Sequence, residues 1–223
     1  MRRRAYGACT RARPMTAPAL TLAPQTAPGA TMARLLAEAS DVQHTIELES
    51  ELMQDRVTWL DYRLYLSRMY GFHGPVERAL GTTRGLTAVI EDAPLRNHKV
   101  ALLAHDLVAL GVERRALQEL PRMPVPALHE VPEALGWMYV LEAWTLGSRK
   151  LRKHLAQQLP TEIDSASAYL RCYGDEVSVR WRELGLAVDR YAARTRTADQ
   201  IAAAAHDCLV RLQRWLRPAR YGR

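Results

Sequence analysis

The stretch Leu135–His154, LGWMYVLEAWTLGSRKLRKH, constrains the fold more than any other part of the chain. Its only helix breakers are Gly136 and Gly147, and prolines bound it at Pro132 and Pro160. It reads as one long helix. At about 100° per residue, Gly136, Val140, Ala143 and Gly147 fall on one narrow stripe. Glycine inside a helix costs about 1 kcal/mol against alanine, so two on one stripe need a reason. The reason is a close approach to the backbone, by another helix or by a flat ligand. On pattern alone the helix contact is the commoner of the two.

The rest of the chain is helical by the same reading. Periodicity starts at Met32, where Leu36, Ser40, His44, Leu48 and Leu52 form an i, i+4 row that places His44 on a face with leucines. Thr58 followed by Asp61 marks a second helix start, and Gly71, Gly74 and Pro75 are expected to bend or interrupt that helix. His73 lies at that bend, structural or exposed. Residues 96–120 predict a third helix with Val100, Leu103, Leu107 and Leu110 inward and His105 and Asp106 outward. PRMPVPALHEVP is an extended loop. A loop after Pro160 leads to a helix carrying Tyr169, Cys172, Tyr173, Val177, Trp181 and Leu184 on its apolar face. Thr197 with Asp199 opens the last helix, which buries Ile201, Cys208, Leu209, Leu212 and Leu216. No run of period-two alternation occurs, so the fold class is all-α, with about six to eight helices.

Composition divides the chain into three segments. Residues 1–31, rich in Ala, Pro, Thr and Arg, form a basic extension without helical periodicity and are expected to be disordered; the true start could equally be Met15 or Met32. Residues 32–217 are the helical domain, and 218–223 a basic tail. The net charge of +7 resides in the ends. Five arginines and no acid precede Met32, and three arginines and no acid close the chain from Arg217, which leaves the body one charge below neutral. A near-neutral body argues against a nucleic-acid partner. No apolar run reaches the length of a membrane span. Cys9, Cys172 and Cys208 are odd in number and widely spaced, which fits a reducing cytoplasm better than a disulfide framework.

The usual catalytic motifs are absent: no G-x-S-x-G, P-loop, H-E-x-x-H, G-x-G-x-x-G or Glu-x-x-His occurs. A histidine on one helix and a small-residue stripe on another remain. Those are the parts of a haem sandwich, an axial nitrogen on one side and close backbone on the other. His44 is otherwise a hydrogen-bonded boundary residue, with Glu47 one turn on as a partner for its second ring nitrogen.

YGFHGPVERAL at Tyr70–Leu80, ALGWMYVLEAWTLGSRKLRKHL at Ala134–Leu155 and YGDEVSVRW at Tyr173–Trp181 resemble the bacterial biliverdin-producing haem oxygenases in order and spacing, across roughly residues 32–217. The resemblance implies a haem oxygenase-like fold. It implies His44 as the axial ligand of haem iron, and Ala143 and Gly147 as the oxygen-side backbone. It further implies cleavage of haem to biliverdin, CO and ferrous iron with an external electron donor, a reductase or ferredoxin-like protein; a bilin-binding photoreceptor could receive the product. Val140, Ser148, Arg171, Tyr173 and Arg180 are the other expected haem contacts, the arginines as partners for propionates, with Arg149 and Lys150 behind them. The distal helix departs from the family's Y-V-L-E-G-S-T-L-G-G: Ala143 and Ser148 replace glycines, and Trp144 replaces a small polar residue. Leu48 stands where the family often has glutamate. These departures motivate a second reading, a catalytically inactive protein of this fold that binds a tetrapyrrole or a protein partner.

Overall fold

The computed structural model describes residues 28–49 and 51–217. The terminal segments lie outside the described residues, as do the side chains of Glu47 and Leu48. Among the described residues eight α-helices succeed one another: α1 Ala30–Glu49, α2 Trp59–Thr82, α3 Ala93–Arg96, α4 Lys99–Ala109, α5 Val131–Gln158, α6 Pro160–Ser165, α7 Val177–Thr195 and α8 Ala198–Leu216. Short 3-10 turns lie at Glu51–Met53, Arg115–Gln118, Tyr169–Arg171 and Gly174–Glu176, and the described residues contain no strand.

The glycine-striped helix is the axis of this arrangement. α5 starts earlier than its sequence pattern suggests. A capping box between Glu130 and Glu133 satisfies its first N–H groups, and Pro132 sits in the first turn, where no N–H is needed. Its most extensive partner is α8. There the glycine is required: a Cβ on Gly136 would stand 2.5 Å from the Ile201 carbonyl oxygen and 2.7 Å from the Ala205 nitrogen. At Gly147 a Cβ would meet nothing within 4 Å among the described residues. The stripe therefore divides into a helix contact at its start and open backbone near its end.

This division predicts opposite effects from one substitution. Alanine gains about 1 kcal/mol of helix propensity over glycine at either site. At position 136 overpacking against main chain, which cannot swing aside, costs about 1–3 kcal/mol. Gly136→Ala should therefore lower stability and Gly147→Ala should raise it, read as opposite shifts of the urea midpoint.

α2 starts at the expected capping box, Thr58 N–H to Asp61 Oδ2 at 2.8 Å and Asp61 N–H to Thr58 Oγ1 at 3.3 Å. It then runs through Gly71, Gly74 and Pro75 for 24 residues without an interruption, one of the two outcomes, bend or break, expected there. Pro75 has no N–H for the carbonyl of Gly71. That carbonyl accepts the N–H of Met123 at 3.0 Å instead. Gly71 also has no room for a side chain, because a Cβ there would lie 2.3 Å from the Pro121 carbonyl oxygen. The proline-rich loop thus seals the gap and keeps the helix whole.

The expected helix over 96–120 is in fact α3, α4 and a turn, stopped by Gly111 at φ +82°. Asp106, expected on the outside, is fully buried. Its carboxylate accepts the N–H groups of Ala168 at 2.9 Å and Tyr169 at 2.8 Å, capping the turn that comes after α6.

α1 rests on α8 and α7 through Met32, Leu35, Ala39 and Ile46. Its first N–H groups are held by Asp189 of α7, which accepts from Gly29, Thr31 and Met32 at 2.9–3.0 Å. The carboxylate meets the positive end of the helix dipole. The row Leu36–Ser40–His44 is the outward face of α1, with Leu36 42% exposed and His44 exposed. The packed row lies about 110° around the helix from it, so the leucines do not take His44 into the core.

Candidate functional site

Gly147 and its neighbours give α5 a polar, partly open segment. Val140, on the same stripe, is 0% exposed and belongs to the core, so it offers no surface to a ligand in this arrangement. Ala143 and Gly147 are half-buried. Ser148 is buried and donates its hydroxyl to the Trp144 carbonyl at 3.1 Å, as Thr145 does to Leu141 at 2.8 Å. Such back-bonds occupy a hydroxyl that a ligand could otherwise use. The Trp144 indole N–H donates to the Tyr65 hydroxyl at 3.0 Å, tying α5 to α2. Burial pushes the Tyr65 phenol up to about 12, so it remains protonated at neutral pH.

The His44 ring meets no hydrogen-bond partner among the described residues and is exposed. An axial metal ligand needs one imidazole nitrogen, the other usually donating to a nearby acceptor. The described residues hold no cluster of three or more His, Cys, Asp or Glu side chains suited to a bare metal ion.

Two of the expected haem contacts, Tyr173 and Arg180, are committed elsewhere. Glu142 of α5, 4% exposed, accepts the Lys99 ammonium on Oε1 at 3.0 Å. Lys99 is 0% exposed, and its other two protons go to the Arg96 carbonyl at 3.1 Å and the Tyr173 hydroxyl at 2.9 Å. Tyr173 in turn donates to Glu142 Oε1 at 3.0 Å. The ammonium's three donors are thereby satisfied. Burial, then the Glu142 charge, holds the Tyr173 phenol far above its ordinary range. Arg96, also buried, pairs with Asp92 at 2.9 Å and reaches Glu142 at 3.5 Å and Glu183 at 3.3 Å. Arg180 pairs with Asp92 at 2.9 Å and Glu176 at 3.0 Å.

Tyr173 takes a left-handed backbone at φ 65°, a conformation that strains any residue with a side chain. Lys99 and Arg180 each stand 4.8 Å from its ring centroid, and its hydroxyl is bonded twice, which keeps it there. Arg149 closes the same region by donating to the Gly174 carbonyl at 2.7 Å and pairing with Asp175 at 3.0 Å. Arg171 is exposed. Among the expected positions, then, Tyr173 and Arg180 come together as part of a buried ionic brace, with Val140 in the core and His44 on the outer face of α1.

Two further buried groups have chemistry of their own. The thiol of Cys172 lies 3.7 Å from His98 Nε2, and burial raises it to about 11. It is a neutral thiol at physiological pH, the wrong state for a nucleophile. His73 is fully buried, with Nε2 3.1 Å from the Tyr169 hydroxyl. Burial first, and Lys99 second, hold its pKa well below the usual range, so the ring is neutral.

The sequence carries an outline of the brace. Lys99, Leu103 and Leu107 form an inward i, i+4 row, and Asp106 lies on the same side by helix geometry. A lysine and an aspartate on a leucine row announce buried partners. Asp92 four residues before Arg96 is a second such signal. Nothing local indicates that Tyr65 meets Trp144, because 79 residues separate them.

The architecture is that of the haem oxygenase fold. The structure superposes on the haem oxygenase from Neisseria meningitidis, solved with NO and CO bound, with a TM-score of 0.68. The match covers 86% of this chain and 94% of that one at 20% sequence identity. No family model matches the sequence, and no curated protein matches it. The likeness is therefore one of fold.

Proposed function

We propose that this protein binds haem and opens it oxidatively, yielding biliverdin, CO and ferrous iron with electrons from an external donor. The observation that carries the reading is the bare turn of α5 at Gly147, where a Cβ would meet none of the described residues within 4 Å, on a chain of haem oxygenase-like fold. His44, exposed on α1, supplies the imidazole for the iron. Ala143 and Gly147 supply close backbone on the oxygen side. Haem, when bound, is both cofactor and substrate, and provides the iron at which oxygen reacts. The protein's part is to hold the iron from one side and exclude bulk water from the other. With Tyr173 and Arg180 spent in the brace, Arg171 is the expected propionate partner that stays exposed. A reductase or ferredoxin-like protein would serve as donor, and a bilin-binding photoreceptor as one outlet for the product. Among the described residues no helix is long and apolar enough to cross a membrane.

The second reading is a haem-binding protein of this fold without turnover. Trp144, which stands where the family has a small polar residue, favours it. The two separate in one experiment: ferric haem is added to the full chain, and then ascorbate or a reductase system under air. Decay of the Soret band with growth of biliverdin absorbance is the expected result. A stable complex supports the inactive reading, and no uptake of haem contradicts both.

A further inference from the structure

We propose that Tyr169 is a redox-active tyrosine, the resting place of an oxidising equivalent that enters the protein at Trp144, with His73 as the base that takes its proton. This activity needs no haem. Four ring side chains form one hydrogen-bonded line through the fold. The Trp144 indole N–H of α5 donates to the Tyr65 hydroxyl of α2 at 3.0 Å. The Tyr65 and Tyr169 hydroxyls are hydrogen-bonded to each other. The Tyr169 hydroxyl stands 3.1 Å from His73 Nε2. Trp144 is half-buried, so the line has one end at the surface, whereas Tyr169 and His73 at the other end are buried.

The outer end sets the direction of the line. An indole nitrogen can only donate, so Tyr65 accepts there. The Tyr65 proton has the Tyr169 oxygen as its one acceptor among the described residues, and a buried hydroxyl proton left unpaired is costly. Tyr169 in turn gives its proton to His73 Nε2. The neutral His73 ring therefore carries its single proton on Nδ1, and Nε2 is a base with a free lone pair.

That order decides which ring keeps the oxidising equivalent. Removing one electron makes an indole N–H or a phenol O–H strongly acidic, so the hole settles where the proton has a base to go to. Trp144 and Tyr65 each donate to a phenol oxygen, and only Tyr169 donates to an imidazole nitrogen. The oxidant is an oxygen-centred radical, such as the carbonate radical. It takes one electron from Trp144 and becomes its anion, and Trp144 recovers an electron from Tyr169 by way of Tyr65. The Tyr169 O–H bond breaks and an N–H bond forms at His73 Nε2, which leaves a neutral tyrosyl radical beside an imidazolium. Burial and Lys99 both disfavour that imidazolium, so the proton goes back when an electron arrives. Neither ring reaches solvent, so the proton is not lost to water and the radical does not meet a second one to couple with.

The test uses the full chain with tris(bipyridyl)ruthenium and a cobalt(III) ammine as electron acceptor. A light flash generates the ruthenium(III) oxidant, and electron paramagnetic resonance follows the organic radicals. The wild type should give a long-lived tyrosyl signal, identified by ring-deuterated tyrosine. Tyr169→Phe, which removes one hydroxyl and no bulk, should lose that signal. His73→Gln, which keeps a hydrogen-bond acceptor but no base, should shorten its lifetime about 100-fold, the scale on which a positioned proton acceptor works. Trp144→Phe should lower its yield and leave its lifetime unchanged. Should the core variants fail to fold, isotope-labelled histidine in the wild type decides, because the radical should then show magnetic coupling to one imidazole nitrogen. A long-lived tyrosyl signal that persists in Tyr169→Phe overturns the proposal, as does a wild type with no such signal or with no coupling to histidine.

Discussion

Lys99→Met is expected to lose about 3–5 kcal/mol of folding stability, the cost of breaking a buried ion pair by removing one partner. The side chain is 0% exposed, and its ammonium makes three hydrogen bonds that methionine cannot replace. Glu142 would keep a charge at 4% exposure, with Arg96 at 3.5 Å as its remaining cation. That contact is long, so it recovers part of the loss and sets the expected value near the lower end of the range. Tyr173 would lose both its hydrogen-bond donor and the cation beside its ring, and with them much of what holds it at φ 65°. A double variant, Lys99→Met with Glu142→Leu, should recover part of the deficit, because no uncompensated charge stays buried. Urea denaturation monitored by circular dichroism measures all three. A double variant less stable than Lys99→Met by the full cost of a second break would contradict the pairing.

The brace ties α5 to its neighbours beside its glycine- and hydroxyl-bearing turns. Glu142 fixes one side of the helix immediately before Ala143, and Trp144 fixes another through Tyr65. Ala143 lies between those anchors and Gly147 one turn beyond them, both half-buried. The same brace takes Tyr173 and Arg180 away from the role that the resemblance to haem oxygenases implies.

Helices with one clear apolar row are legible from sequence, as α8 is: Ile201, Cys208, Leu209 and Leu212 are buried where the spacing puts them, and Leu216, at the helix end, is partly buried. α1 misleads because two rows compete. Leu36 and Leu48 make one i, i+4 series, whereas Met32, Leu35, Ala39 and Ile46 make another, and contact with α7 and α8 decides for the second. Pattern alone cannot see that choice. The unbroken α2 is a similar case, since the acceptor freed by Pro75 is answered by Met123, far along the chain. The stripe on α5 is readable as geometry, yet its two meanings, helix contact at Gly136 and open backbone at Gly147, depend on what stands opposite. Residues whose role is set by distant partners, such as Trp144 and Tyr173, carry no local mark of it.

His44 is the other large effect, and it decides the functional account. An exposed side chain with no hydrogen-bond partner among the described residues contributes little to the fold, so His44→Ala should change stability by no more than about 0.5 kcal/mol. If this imidazole holds the iron, the same substitution removes the only protein–iron bond the account contains. The direct measurement is the iron–histidine stretching band in the resonance Raman spectrum of the ferrous haem complex, wild type against His44→Ala. The wild type should show the band, the variant should lack it, and added imidazole should restore it. An unchanged band in His44→Ala would contradict the account, because some other residue would then be the ligand.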